Sequence, residues 1–432
     1  MSIFKPRHHF GINKSTASTL PEKIISAIEK AVGDFPLKSI VEEGEVLNRY
    51  IKCRKAAAED QNIRSKVREI EDQIDVEPEK FKLPKVSPDP NDKETFKIYK
   101  EKRSQKVQQI MKQRIYAWKP ITYDPYKSLL YLLGRSAQEY AVLMKIFREI
   151  QKRDPEFKPR SYFDFGAGVG SGCWAASELW KNSIYEYYLV DASKDMNDLS
   201  DLILRDGDPN KAMNLRNVYH RQFLPARNER YDIVLSAYSL FELPTLKNRL
   251  EVVHNLWNKA ANYLIFVEYG SNAGFTILNE VREFITELKE HDSYVFAPCS
   301  HDLQCPRFQL NDETPCNFEI SFNSLPFGGS SHIKREPYSY LVIKKGSQPP
   351  AERWPRIVRP TLVKSKHSIC RMCTNEGKLK EIIFTASKHG KMAYRCARHS
   401  RWGDQLPINI EEEIKLVEED EVIKTIVEEE IK

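Results

Sequence analysis

At 432 residues the chain is too long for one compact core, and two domains with extensions are expected. Hydrophobic residues make up 41% of it, enough for globular cores, and no run of about eighteen uncharged apolar residues occurs, which argues against a membrane span. The net charge of +6 conceals an acidic end: residues 411–432 carry ten acids against three lysines, so the rest holds +13, a balance that points to a polyanionic partner.

In chain order, the first acidic residue is Glu22, preceded by Lys5, Arg7, His8, His9 and Lys14 among serines and threonines. Such a start, over residues 1–20, is compatible with a mitochondrial transit peptide or a disordered terminus. Residues 21–119 read as a helical extension. "PEKIISAIEKAV" and "VLNRYIKCRKAAAEDQNIRSKVREIEDQI" repeat apolar residues every three or four positions, "VEPEKFKLPKVSPDPNDK" is a proline-rich linker, and "ETFKIYKEKRSQKVQQIMKQRIYAW" is a basic helix. "SLLYLLGRSAQEYAVLMKIFREIQKR" is a further helix, apolar enough to pack on a core.

Residues 120–295 then alternate strands ("SYFDF", "EYYLVDA", "YDIVLSA", "NYLIFVE") with helices, the pattern of a doubly wound parallel α/β sheet. Residues 296–408 read as a small, β-rich, cysteine-containing domain with strands in "PYSYLVIKK", "KEIIFTA" and "MAYRCA". Residues 409–432 form an acidic, solvated tail.

"FDFGAGVGSGCW" places Asp164, Gly166, Gly168 and Gly170 between a strand and a helix, where glycine lets the backbone turn tightly and approach a ligand. The next strand ends at Asp191, where a carboxylate can accept hydrogen bonds from ribose hydroxyls. Together these features resemble class I S-adenosylmethionine-dependent methyltransferases. The resemblance implies an S-adenosylmethionine pocket, with Asp164 near the amino-acid arm and Asp191 at the ribose. The acceptor chemistry is not visible. After the fourth strand stands "SAYSLFELP", with Ser236, Tyr238 and Glu242, instead of an Asn/Asp-Pro-Pro-Tyr type loop, and neither Cys53 nor Cys173 sits where a cytosine-attacking nucleophile would. No catalytic residue is assigned, and a fold kept for binding is expected.

Six of the eight cysteines lie in the last third: Cys299, Cys305, Cys316, Cys370, Cys373 and Cys396. Nothing marks a secreted protein, so disulfides are disfavoured and a metal site is the better explanation. Only Cys370 and Cys373 have the spacing of a zinc knuckle, while irregular spacing and the Cys305–Pro306 step also suit an iron–sulfur cluster. Spacing leaves both open and leans to the cluster.

"APCSHDLQCP", "PCNF", "YSYLVI", "WPRIVRP", "CTNEG" and "YRCARHSRWGDQLP" follow in that order behind "SLFELP" and "VEYGSNAGF". The series, over about residues 120–408, resembles the methyltransferase-like assembly factors of the mitochondrial small ribosomal subunit, a family with bacterial relatives. The resemblance implies a four-iron, four-sulfur cluster on Cys299, Cys305, Cys316 and the cysteine before "TNEG", Cys373, with Cys370 as a competing fourth ligand and Cys396 as packing. It also implies binding to small-subunit rRNA and ribosomal proteins in the mitochondrial matrix, without methyl transfer. The alternative is an active S-adenosylmethionine-dependent rRNA methyltransferase. Residues 351–402, with thirteen Lys and Arg against three Glu and with Trp354, Phe384, Tyr394 and Trp402 among them, are the expected RNA-facing surface. His301 is either a donor to a cluster sulfur or an exposed histidine, and "WGD" at 402–404 a turn.

Overall fold

The computed structural model describes residues 5–13, 17–54, 60–84, 89, 92–114, 120–227, 229–288, 292–327, 331–348, 353–410 and 414–416. Gly33, at a φ of +59°, and Pro36 divide the first helical stretch into α1 (Glu22–Val32) and α2 (Leu37–Cys53). α3 (Asp60–Val76) and α4 (Lys93–Arg114) close a small core of their own from Ile70, Ile74, Val107, Ile110 and Met111. α5 (Pro125–Arg153) starts where the Asp124 carboxylate accepts the Lys127 N–H at 2.8 Å. α2 crosses α5 at two glycines, so closely that a Cβ on Gly134 would lie 2.2 Å from the Gly44 carbonyl oxygen.

The beginning of the chain, expected to be disordered or cleaved, is packed where it is described. His9 is buried with Nε2 2.8 Å from Ser400 Oγ, the Gly11 carbonyl accepts the Gln405 N–H at 2.9 Å, and the Asn13 N–H donates to Asp404 Oδ1 at 2.8 Å.

Short apolar strands next to glycine turns build one eight-stranded sheet. β1 (Ser161–Phe165), β2 (Glu186–Val190), β3 (Val218–Arg221), β4 (Tyr231–Ala237) and β5 (Ala260–Tyr269) are parallel, in the order β3-β2-β1-β4-β5. The crossovers carry α6 (Ser171–Trp180), α7 (Lys194–Leu204) and α8 (Leu246–Lys259), and α9 (Asn272–Glu287) follows β5. β6 (Ser293–Ala297), β7 (Phe318–Asn323) and β8 (Ile333–Lys345) complete the sheet, with β8 antiparallel between β5 and β6 and β7 paired to its first half. This is the class I methyltransferase-like arrangement that the glycine loop suggested.

Two expectations are corrected. "PYSYLVIKK", assigned to a second domain, is the body of β8, so the main sheet does not end at residue 295. Residues 338–343 are buried because β5 flanks them on one side and β6 joins on the other, and a continuous apolar run suits such a central strand. "MAYRCA" lies in helix, not strand. After the short α10 (Pro306–Gln309), β9 (Arg356–Ile357), β10 (Leu362–Val363), β11 (His367–Cys373) and β12 (Leu379–Thr385) form a four-stranded sheet that is covered by α11 (Ala386–His399). α11 buries Ala393, Cys396 and Ala397, a spacing of three and four residues that reads as a helical face. β13 (Ile408–Ile410) and β14 (Ile414–Leu416) pair, and the acidic tail beyond them lies outside the described residues.

Candidate cofactor pocket and metal centre

The glycine loop assembles as its residues demand. Gly166, Gly168 and Gly170 have φ of +72°, +53° and +91°, and a Cβ on Gly166 would lie 2.4 Å from Ser239 Cβ. The Asp191 carboxylate accepts the Gly168 N–H and the Ser193 N–H, both at 2.9 Å, which ties the end of β2 to the loop above β1. Asp164 sits deeper. It is buried, accepts the Tyr162 hydroxyl at 2.7 Å, and is pushed up to about pH 7 by burial despite that bond. The five sequence-predicted pocket residues therefore meet at one end of the sheet.

A set of charges that sequence reasoning missed lies beside them. Arg135 is fully buried and donates to Glu336 Oε1 at 2.9 Å, Glu139 Oε1 at 3.2 Å and Asn48 Oδ1 at 3.2 Å. Its guanidinium lies 4.8 Å from the Tyr238 ring centre and 5.1 Å from that of Tyr269. Lys52 pairs with Glu336, and Arg54 forks onto Glu242 at 2.5 and 2.9 Å. Two residues of the "SAYSLFELP" stretch, Tyr238 and Glu242, are thus engaged by cations from elsewhere in the chain, and Tyr238 is held at a φ of +57°, a conformation costly for a residue with a side chain.

The cysteines separate into two groups. Cys299, Cys305, Cys316 and Cys373 line one cavity of about 260 Å³, together with Arg307, Arg356 and Arg359. Burial, and then the neighbouring thiols, push Cys305, Cys316 and Cys373 above the ordinary thiol range, because thiolates brought together out of water repel. Cys370 is on the other side of β11, three residues from Cys373, since successive side chains of a strand alternate. It packs with Cys396 against α11, its sulfur 3.8 Å from the Ala397 carbonyl oxygen, and burial raises it to about 11 and Cys396 to about 12.

His301, which the sequence left as a surface residue or a neighbour of the sulfurs, is 2% exposed with Nε2 3.3 Å from Cys373 Sγ. Its Nδ1 lies 3.1 Å from the Leu303 carbonyl, which can only accept. In the neutral ring with Nδ1 donating to that carbonyl, Nε2 is an acceptor facing the Cys373 thiol. Burial, followed by the Arg282 charge, lowers its pKa to about 4.

The loops that carry the thiols are held by arginines. Arg356 Nε donates to Pro298 O at 2.8 Å, Arg282 to His301 O at 3.1 Å, Arg307 Nε to Thr314 O at 3.0 Å, and Arg359 to Pro315 O and Asn317 Oδ1 at 3.1 Å each. Among the described residues no three Cys, His, Asp or Glu side chains close on a single ion position. The four thiols border a space instead, and cationic side chains share its wall, surroundings that favour net negative content.

Comparison with known proteins identifies a family, two relatives and two solved structures that this chain resembles. The family model of the mitochondrial small ribosomal subunit protein Rsm22 matches residues 125–407. The human mitochondrial ribosome assembly protein METTL17 is 33% identical over 409 residues, which cover 93% of this chain and 86% of that one. A mitochondrial Rsm22-cox11 tandem protein of Schizosaccharomyces pombe is 27% identical over 332 residues, 66% of this chain and 43% of its own length. Among solved structures, magnesium protoporphyrin IX methyltransferase of Synechocystis with bound SAM aligns at a TM-score of 0.31 and 12% identity over 54% of this chain and 89% of its own. The plantazolicin methyltransferase BpumL with SAH aligns at 0.33 and 11% over 66% and 99%.

Proposed function

Since the chain belongs to the Rsm22 family of the mitochondrial small ribosomal subunit, we propose that it assists assembly of that subunit in the mitochondrial matrix, binding rRNA without methylating it. Its C-terminal module is shaped by a four-iron, four-sulfur cluster on Cys299, Cys305, Cys316 and Cys373. The observation that carries the cluster reading is the shared cavity: four thiols distant in sequence line one space, and Cys370 lies on the far side of its strand. Bound there, the cluster would supply thiolate–iron bonds that join residues near 300 to residue 373 and so contribute to folding stability.

Support for RNA comes from the face of α11 and the neighbouring turn, where Lys364, Lys366, Lys388, Lys391 and Arg395 are exposed. Beyond the break at Gly390, where φ is +76°, Lys391 and Arg395 stand four residues apart on one helical face. Support for a non-catalytic role comes from the acceptor side, where Glu242 is bound to Arg54 and Tyr238 is packed against Arg135. The glycine loop and Asp191 retain the form of an S-adenosylmethionine site. The division into a sheet domain, a cysteine module and flanking extensions belongs to the same proposal.

The test is metal analysis of protein isolated without oxygen. Wild type and Cys370→Ser should contain iron and sulfide in equal amounts and absorb broadly near ~400 nm. Cys373→Ser should lose both, and its cells should show depleted mature small subunits. Wild-type protein with neither element, or loss in Cys370→Ser with retention in Cys373→Ser, would refute the assignment.

A further inference from the structure

A parallel sheet is normally covered on both faces by its crossover helices. Here the connection from β3 to β4 is only residues 222–230, and its described residues form no helix. The register shows what this leaves bare. Phe163, Tyr188 and Tyr219 lie opposite one another on neighbouring strands and so point to one face. The other face is served by α7, where Ser200 Oγ lies 3.1 Å from Nε2 of the adjacent His220.

The rings form a row that runs from the core to solvent. Phe163 is fully buried and stacks on Tyr188 with centres 5.5 Å apart and planes at 10°, Tyr188 is half-buried, and Tyr219, 6.3 Å further on, is 39% exposed. Arg221 holds its guanidinium 5.9 and 5.8 Å from the Tyr188 and Tyr219 centres, near the outer limit of such contacts. Two residues on, Phe223 is 81% exposed. Four arginines around this edge, Arg216, Arg221, Arg227 and Arg230, are exposed, against Glu186 and Glu229. The connection is also held in place, because Lys259 Nζ donates to Pro225 O at 3.0 Å and Arg227 O at 2.8 Å.

We propose that this uncovered β2–β3 face is a stacking platform for single-stranded RNA, with unpaired bases on Tyr219, Tyr188 and Phe223 and phosphates on the surrounding arginines. Aromatic faces accept any base, and the excess of arginine selects a polyanion over an apolar protein surface. The inference shares the RNA partner of the proposed function but neither its cluster nor its C-terminal module.

The experiment uses the full chain and two probes, a fluorescein-labelled 12-nucleotide oligouridine and a 12-base-pair RNA duplex. Tyr219→Ala and Phe223→Ala should each weaken oligouridine binding by roughly 5- to 100-fold, with a much smaller effect on the duplex. Arg221→Ala should reduce the slope of log affinity against log salt by about 0.7. The residues are surface-lying, so circular dichroism should show folded variants. Unchanged oligouridine affinity in these variants overturns the proposal, even if the same face captures a protein. If affinity is unchanged there but falls in Lys388→Ala/Lys391→Ala, only this platform is refuted. Wild-type protein that binds neither probe refutes the RNA reading as a whole.

Discussion

Arg356 is the residue whose removal should tell most about how the cysteine module is fixed to the sheet domain. It is 1% exposed, and its guanidinium donates to Pro298 O beside Cys299 at 2.8 Å, to Gly403 O at 2.8 Å and to Glu149 Oε1 of α5 at 2.6 Å. Burial opposes the charged form of Glu149, but the Arg356 and then the Arg153 guanidiniums outweigh it and hold its pKa at about 2. Arg356→Met keeps much of the volume and deletes the charge and all three donors. Removing one member of a buried pair costs about 3–5 kcal/mol at neutral pH, and the two carbonyls left without a donor act in the same direction. The pH dependence gives a second handle. A carboxylate held at about 2, against 4.5 when unfolded, contributes about 3 kcal/mol of stability above pH 4.5 that is lost as the pH falls towards 2. In Arg356→Met the Glu149 pKa rises, so the penalty relative to wild type should shrink on acidification below pH 5. Urea unfolding under reducing conditions at pH 7 and pH 4.5 measures both effects. Glu149→Gln placed on Arg356→Met should add little, giving a coupling of about 2 kcal/mol or more between the two sites. A penalty below about 1 kcal/mol at pH 7, or strict additivity of the two substitutions, would refute the reasoning.

Gly134→Val should be poorly tolerated, because the new Cβ would lie 2.2 Å from the Gly44 carbonyl oxygen at the α2–α5 crossing. A loss of about 2 kcal/mol or more in urea unfolding, with faster proteolysis near Arg54, is expected, and wild-type stability would contradict the close approach. Glu268 is fully buried and raised to about 8 by burial, even though its Oε1 accepts the Leu240 N–H at 3.0 Å and the Phe241 N–H at 3.3 Å. The folded state keeps a proton that the unfolded state releases above pH 4.5. Its stabilising contribution is therefore complete below that pH and is lost as the pH rises through 8. Glu268→Gln should flatten this part of the stability profile, and an unchanged slope between pH 5 and 8 would count against it.

How legible the fold was depended on whether strands were apolar and local. "SYFDF", "EYYLVDA", "YDIVLSA" and "NYLIFVE" announce β1, β2, β4 and β5, but "VYHR" of β3 is four residues of mixed polarity and gives no such signal. β8 was recognised as a strand and assigned to the wrong unit, because chain order does not reveal that a later strand inserts between two earlier ones. Strand periodicity bears on the choice between Cys370 and Cys373: with 367–373 as a strand, residues three apart face opposite sides. The pairs Arg54–Glu242 and Lys52–Glu336 join positions 188 and 284 residues apart, and no local pattern announces them.

The charge count of the module also has to be read differently once its residues are placed. Thirteen cations lie between 351 and 402, the stretch expected to face RNA, and like charges so close repel. Several of them face inward or are matched. Arg353 reaches Asp302 at 2.7 Å, Arg356 reaches Glu149, Arg359 holds the Pro315 carbonyl, and Arg398 donates to Lys364 O at 2.6 Å. Pairing with Asp302 and Glu149 lowers the mutual repulsion, and Arg356 and Arg359 set the loops on which the thiols stand, so a cluster would complete an arrangement already held by hydrogen bonds. The charge left for phosphates is mainly that of Lys364, Lys366, Lys388, Lys391, Arg395 and Arg401. RNA affinity of the module should accordingly follow these exposed residues and be nearly indifferent to Arg353, Arg356, Arg359 and Arg398, whose loss should instead be felt in stability and iron content.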